Sequence, residues 1–128
     1  MTLAKTHRDL DVYKLSFKIA TEIHIVSKSF PKEELYSLTN QIRRSSRSVC
    51  ANISEAYRRR IYTKSFISKL NECEAEIAET QTWLDLSLHF GFISEDKFNS
   101  LDSMCDKIIS MIINMRLNAD KWKIEPTK

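Results

Sequence analysis

QIRRSSRSVCANISEAYRRR, residues 41–60, is the stretch from which the fold is read. Ile42, Val49, Ile53 and Ala56 recur seven, four and three residues apart, the spacing that lines one side of an α-helix. With Leu38 and Ser45 they occupy roughly a third of the circumference at about 100° per residue. That face is narrow and built of small side chains, which permits close approach of a neighbouring helix. The expected helix spans 37–59. Its other side is basic: six arginines fall within these twenty residues.

The same period recurs on both sides of this segment. Before it, Val12, Leu15, Ile19, Ile23, Val26 and Phe30 form a stripe over 9–29, widened by Tyr13, Phe17, Ala20 and His24, and Pro31 closes it. Residues PKEELY then form a short turn. After it, Phe66, Leu70, Cys73, Ile77, Thr80, Leu84 and Leu88 mark a helix over 63–89. Thr63 is its expected N-cap, and Gly91 its terminator, because glycine adopts the left-handed conformation cheaply. Ser94 and the acids of SEDK open a last helix over 95–119, with Leu101, Met104, Cys105, Ile108, Ile112 and Met115 inward. The tail KWKIEPTK is expected to fray, since Pro126 cannot continue a helix.

Composition agrees. The chain has one glycine and two prolines in 128 residues, where an average chain would carry about nine glycines. Hairpins and bulges lean on glycine, so a sheet is disfavoured. Four amphipathic helices with short links read as an all-α, antiparallel up-down-up-down four-helix bundle forming a single domain over 1–128.

The net charge of +3 is too small to name a partner, so placement matters more than total. With Leu38 at the centre of the buried face, Arg43, Arg47 and Arg58 fall on the opposite side and Arg44 beside them. Arg59, Arg60 and Lys64 continue the stripe into the next helix. Arg43 and Arg47 are one turn apart, and like charges at that spacing repel by a few tenths of a kcal/mol. An anionic partner such as phosphate would relieve this, and arginine's planar fork suits it. Two plainer readings stand beside it: a solvated helix face, and pairing with Glu72, Glu76 and Glu79, which cluster off the core stripe of the third helix. The outer side of that helix also carries Trp83, Leu86 and Phe90. They can cover the bundle core, sit under a terminal tail or meet another subunit; self-association is the favoured reading, because a second exposed apolar face is a liability for a monomer.

Catalytic signatures are missing. No glutamate is followed three residues later by histidine, as a di-iron bundle requires. His7, His24 and His89 are scattered, and His24, flanking an apolar face, reads as a packed side chain. There is no HExxH, phosphate-binding glycine loop or nucleophile elbow. The glutamate group reads as a salt-bridging face, since acid–base work needs a pocket that separates the carboxyl pKa values. Cys73 and Cys105 lie on core stripes as small apolar fillers. Cys50, off the stripe and near arginines, allows a second reading as a thiol of lowered pKa. No enzyme activity, metal or cofactor is expected. Three dispersed cysteines, the absence of a signal-peptide core and of a long apolar run make a cytoplasmic protein the expectation.

The segments LDVYKLSFKIATEI, FPKEELYSLTNQIRRSSRSVCANISEAYRRR, SFISKL and LHFGFISEDKF together resemble the four-helix bundle proteins encoded in intervening sequences of bacterial 23S rRNA genes. The most specific part, FPKEE-x-Y-x-LT-x-QIRR-x(5)-V-x-ANI-x-E, is carried here by Pro31, Lys32, Glu33, Glu34, Tyr36, Leu38, Thr39, Gln41, Ile42, Arg43, Arg44, Ala51, Asn52, Ile53 and Glu55, with Glu79 matching an acidic position of the third helix. The resemblance covers about residues 9 to 118. It implies a homopentamer of bundles. A related group, accessory proteins of diversity-generating retroelements, implies basic pentamers that bind nucleic acid together with a reverse transcriptase. Ala56 stands where the family usually has glycine, the following linker is about one residue longer, and the family's small residues around Ala75 and Glu76 are replaced.

The expected function is therefore a non-enzymatic, self-assembling basic bundle that binds RNA or DNA through phosphates, without strong sequence specificity, using Arg43, Arg44, Arg47, Arg58, Arg59, Arg60 and Lys64. The alternative is a structural or protein–protein adaptor oligomer, such as a reverse-transcriptase accessory protein, whose arginines pair with acids.

Overall fold

The protein, seen as a computed structural model, is described for residues 5–124, so Pro126 and the end of the tail lie outside the described residues. It is all-α. The long helices are α1 (Asp11–Val26), α2 (Asn40–Arg58), α3 (Thr63–His89) and α4 (Glu95–Leu117), followed by the single turn α5 (Ala119–Trp122). Each long helix packs on two others: α2 on α1 and α3, and α4 on α3 and α1. The buried side chains form one cluster, with Ile23, Ile42, Ile53, Leu70, Leu84, Leu101, Ile108 and Ile112 fully shielded from water.

The most extensive contact joins α2 and α3. Its middle is lined by small side chains. The hydroxyl of Thr80 donates to that of Ser45 at 2.8 Å, and the Cys73 thiol contacts the carbonyl of Val49 at 3.7 Å. Burying a hydroxyl without a partner is costly, so pairing two of them keeps a narrow seam free of that penalty. The buried side of α2 is broader than its apolar residues alone indicate, because Ser46, Asn52 and Tyr57 join it.

Helix ends follow local chemistry. Ser94 caps α4 by accepting the amide of Lys97 at 3.1 Å, with Glu95 and Asp96 in the first turn. Thr63, the expected cap of α3, is instead its first helical residue; Tyr62 holds the extended cap position and gives no side-chain hydrogen bond. Past the end of α3 and its C-cap Phe90 comes Gly91, which has φ +75°. The Phe92 amide reaches the Ser87 carbonyl at 2.8 Å and the Gly91 amide that of Leu88 at 3.0 Å, the doubled closure of a Schellman motif. An added Cβ at Gly91 would meet nothing within 4 Å. Gly91→Ala is thus expected to cost only the left-handed backbone penalty, roughly 1–2 kcal/mol. Urea denaturation measures this, and an unchanged midpoint would refute it.

Between α1 and α2 the backbone departs from α geometry. After two single turns of 3-10 helix (Ser27–Ser29 and Lys32–Glu34), residues Leu35–Thr39 form a π-helical turn that runs directly into α2. The Glu34 carboxylate accepts the amide of Leu38 at 3.3 Å, capping this wide turn. The extra residue shifts everything before it by about 100° relative to a continuous α-helix. Leu35, seven residues before the buried Ile42, would otherwise fall on the core side. It is exposed instead, and Tyr36 beside it is 89% exposed.

Candidate nucleic-acid interface

The arginines of α2 divide by what packs beside them. Referred to the residues actually buried, Arg44, Arg47 and Arg58 point away from the core within about 60° of one another, and all three are exposed. Arg43 lies on the flank rather than opposite the core, because Leu38 sits in the π turn and does not mark the centre of the α-helical face. Half-buried against α1, its Nε donates to the hydroxyl of Ser27 at 2.8 Å. Arg47 is 3.1 Å from Nδ1 of His24. Loss of solvation lowers the His24 pKa, and the charges of Arg43, Lys28 and Arg47 lower it further. The neutral ring so favoured can accept from Arg47.

The second half of the stripe is more varied. Arg58 is exposed, with its guanidinium carbon 5.9 Å from the centre of the Tyr57 ring. Arg59 reaches the Ser65 hydroxyl at 3.5 Å. Arg60 folds back: its Nε donates to the Tyr57 carbonyl at 2.6 Å and its guanidinium lies 3.6 Å from that ring's centre. Lys64 is exposed on the first turn of α3. Arg60 is thus committed to its own helix end, whereas Arg44, Arg47, Arg58 and Lys64 face outward.

Among the described residues, none of these seven cations lies within ion-pair distance of a carboxylate. The pairs that form use other cations: Lys69 with Glu55 at 2.6 Å and Glu72 at 2.8 Å, Lys97 with Glu22 at 3.3 Å, and Arg116 with Glu74 at 2.6 Å. Glu72 is therefore held by Lys69, which the sequence reading did not single out. Glu79 accepts from the indole of Trp83 at 3.2 Å. Burial pushes the Glu76 carboxyl pKa up, Glu79 adds to this, and Arg44 pulls it down. Arg44 thus feels Glu76 without bonding to it.

Two grooves meet at the π turn. One, of about 650 Å³, is lined by Leu35, Tyr36, Asn40, Arg43, Arg44 and Arg47. The other, of about 420 Å³, lies between Glu34, Tyr36, Ser37, Leu38 and Gln41 on one side and Trp83, Leu86 and Phe90 on the other. Trp83 and Leu86 are half-buried against the core edge rather than standing opposite it, because the segment before α2 covers that side of α3. Phe90 is 57% exposed and touches the rings of His89 and Phe92. Tyr36 borders both grooves. From the sequence it is a motif position only; Leu35, seven residues before Ile42, continues the stripe of α2, so no local signal marks the groove.

The thiols are unsuited to nucleophilic work. Burial pushes Cys50 up to about 11, the reverse of the lowered pKa that neighbouring arginines would give, and Cys73 and Cys105 to about 12. No group of three or more His, Cys, Asp or Glu side chains among the described residues is placed to hold a metal ion. No helix of the described residues is long and apolar enough to cross a membrane.

An all-α protein whose arginine edge forms no ion pair among the described residues and lies beside an open groove is the class that fold and site define. The model of the 23S rRNA-intervening sequence protein family matches residues 8–114, and the chain belongs to that family. A solved structure from Bacteroides thetaiotaomicron, described as a protein of unknown function from the S23 ribosomal protein family, is similar. It is 29% identical, with a TM-score of 0.76 over 84% of this chain and 96% of that one. No curated protein matches the chain.

Proposed function

We propose that this protein is a non-enzymatic, cytoplasmic binder of RNA or DNA phosphates that works as a homo-oligomer of up-down-up-down four-helix bundles. One observation carries the reading: the outward guanidinium groups of Arg44, Arg47 and Arg58 lie along one edge without a carboxylate partner among the described residues. An edge of that kind attracts an anion, and a polyanion engages several of its charges at once. The family's printed name refers to an intervening sequence of 23S rRNA, which makes RNA the first ligand to try. Trp83, Leu86 and Phe90, with the groove they border, are the proposed contact between copies, a pentamer being what the family resemblance implies.

The adaptor reading keeps one observation in its favour. Glu76 and Glu79 lie together without an ion pair among the described residues, and Glu76 is destabilised as a carboxylate by burial and by Glu79. An arginine from another protein chain, or from a second copy, would relieve them. Reverse transcriptases are one such partner class suggested by the resemblance.

Filter binding of an rRNA fragment at two salt concentrations tests the main reading. With three phosphates neutralised, affinity should fall about 20- to 40-fold between 50 and 200 mM salt, from a logarithmic slope of about −0.7 per contact on single strands or −0.9 on duplex. An affinity indifferent to salt, or no retention at 50 mM, would leave the adaptor reading standing alone.

A further inference from the structure

We propose that the ligand of the arginine groove is a single strand, and that the ring of Tyr36 is a stacking platform for one of its unpaired bases. This rests on the phosphate-binding reading and adds to it the form of nucleic acid that fits.

The observations are geometric. Tyr36 presents nearly its whole side chain to water, at 89% exposure, on a surface where a large aromatic gains nothing from folding. The ring belongs to the same groove as Arg43, Arg44 and Arg47, with Leu35 adding apolar surface and Asn40 an amide. At about 650 Å³ the groove is of a size that accommodates a small organic ligand. A purely phosphate-binding surface needs neither the ring nor the leucine. A groove that combines an aromatic face with adjacent guanidinium groups is the arrangement that holds single strands: bases stack, and the backbone follows the charge. A duplex keeps its bases stacked on one another and would offer this ring nothing.

The backbone explains how Leu35 comes to stand beside the ring. In an unbroken α-helix Leu35, seven residues before Ile42, would turn inward; in the π turn Leu35–Thr39 it is exposed beside Tyr36, while Leu38 and Thr39 stay buried. Wide turns of this kind occur often at functional positions, where they trade regular hydrogen bonding for the placement of a side chain. Glu34 caps the turn through the Leu38 amide and the Ser37 hydroxyl, so the ring projects from a braced segment. The Glu34 carboxylate faces the other groove, on the Trp83 side, and is not among the residues lining the arginine groove.

The test uses the full chain and a short mixed-sequence RNA carrying a fluorescent purine analogue, as a single strand and annealed to its complement, with the same strand made as DNA in parallel. The intact protein is expected to quench the single strand's fluorescence on binding. Tyr36→Ala should weaken single-strand binding about 5- to 150-fold and abolish the quenching, leaving duplex binding within about twofold. Tyr36→Phe should retain both, since the ring and not the hydroxyl does the stacking. An effect on the RNA strand, the DNA strand or both supports stacking and identifies the backbone that is used. The side chain is exposed, so the variant folds, and circular dichroism verifies this. Equal loss on single strand and duplex, or no change on either, overturns the proposal. So does a fall in oligomer mass by light scattering, which would make Tyr36 a contact between copies. If the intact protein retains neither form, the phosphate reading itself fails. If duplex and single strand both bind and depend on Arg44 and Arg47 while Tyr36→Ala is silent, only the stacking fails.

Discussion

Reversing Arg44 and Arg47 together to glutamate is expected to weaken nucleic-acid binding on the order of 100-fold or more. Each guanidinium can form charge-assisted hydrogen bonds to phosphate, and losing a contact of that kind costs about 1.5–3 kcal/mol. Two lost contacts and two new repulsive charges therefore exceed about 3 kcal/mol, and each 1.4 kcal/mol is tenfold. The slope of log affinity against log salt should become shallower by about 1.4 on single strands or 1.8 on duplex, because two fewer counterions are released. Both side chains are exposed and neither is ion-paired among the described residues, so the fold should lose little beyond the contact from Arg47 to His24 and the favourable charge of Arg44 near Glu76. The same double reversal on Arg60 and Arg59 should do less, since Arg60 is already occupied by the Tyr57 carbonyl and ring. If the Arg44 and Arg47 variant binds as before, the edge is only a solvated face. If instead its oligomer mass collapses while affinity per assembled particle is unchanged, these arginines belong to a subunit contact and the adaptor reading prevails.

The second large effect concerns the core. Phe66→Ala should destabilise the protein by about 3–5 kcal/mol, the range for truncating a buried phenylalanine. Phe66 is 1% exposed near the start of α3, and its ring stacks on Trp122 of α5 at 6.2 Å between centroids. Truncation removes both the apolar burial and the surface on which α5 rests, so neighbours can refill the space only by giving up α5's docking. For a chain of this length the melting temperature should drop roughly 10–25 °C. Thermal and urea denaturation followed by helix circular dichroism would measure both. A loss below about 1 kcal/mol would mean that this end of the core collapses around the gap, and that α5 contributes no packing of consequence.

Much of this architecture is legible in the sequence because helical periodicity is a local property. The stripes of α3 and α4 survive in the structure almost residue for residue, with Ser87 buried where Leu88 was expected to be. Gly91 and Ser94 do what their chemistry dictates, since a left-handed residue and an N-cap are both decided within one turn of chain. Thr63 is the exception, because a cap needs the residue before the helix and the helix begins one position earlier than that reading required. α2 was harder. Its buried side includes Ser46, Asn52 and Tyr57, polar groups that an apolar count omits, and the register before Asn40 was concealed by the π turn.

The charges show where local information ends. The sequence supplied the cluster of guanidinium groups and its position off the core stripe. It could not assign partners, because ion pairing depends on distances between helices that periodicity does not contain. The Lys69–Glu72 pair, three residues apart on α3, is local, whereas three-dimensional packing gave Glu55 to Lys69, Glu74 to Arg116 and Ser27 to Arg43, and left Arg44, Arg47 and Arg58 facing outward. It also raised the Cys50 thiol by burying it, against the pull expected from nearby arginines, since desolvation outweighs exposed and screened charges. Amphipathic spacing and a shortage of glycine were thus sufficient for an all-helical chain with a basic exterior. Which cations stayed out of ion pairs among the described residues, and that Leu35 joins Tyr36 in their groove and not the core, followed only from how the helices docked and from one widened turn.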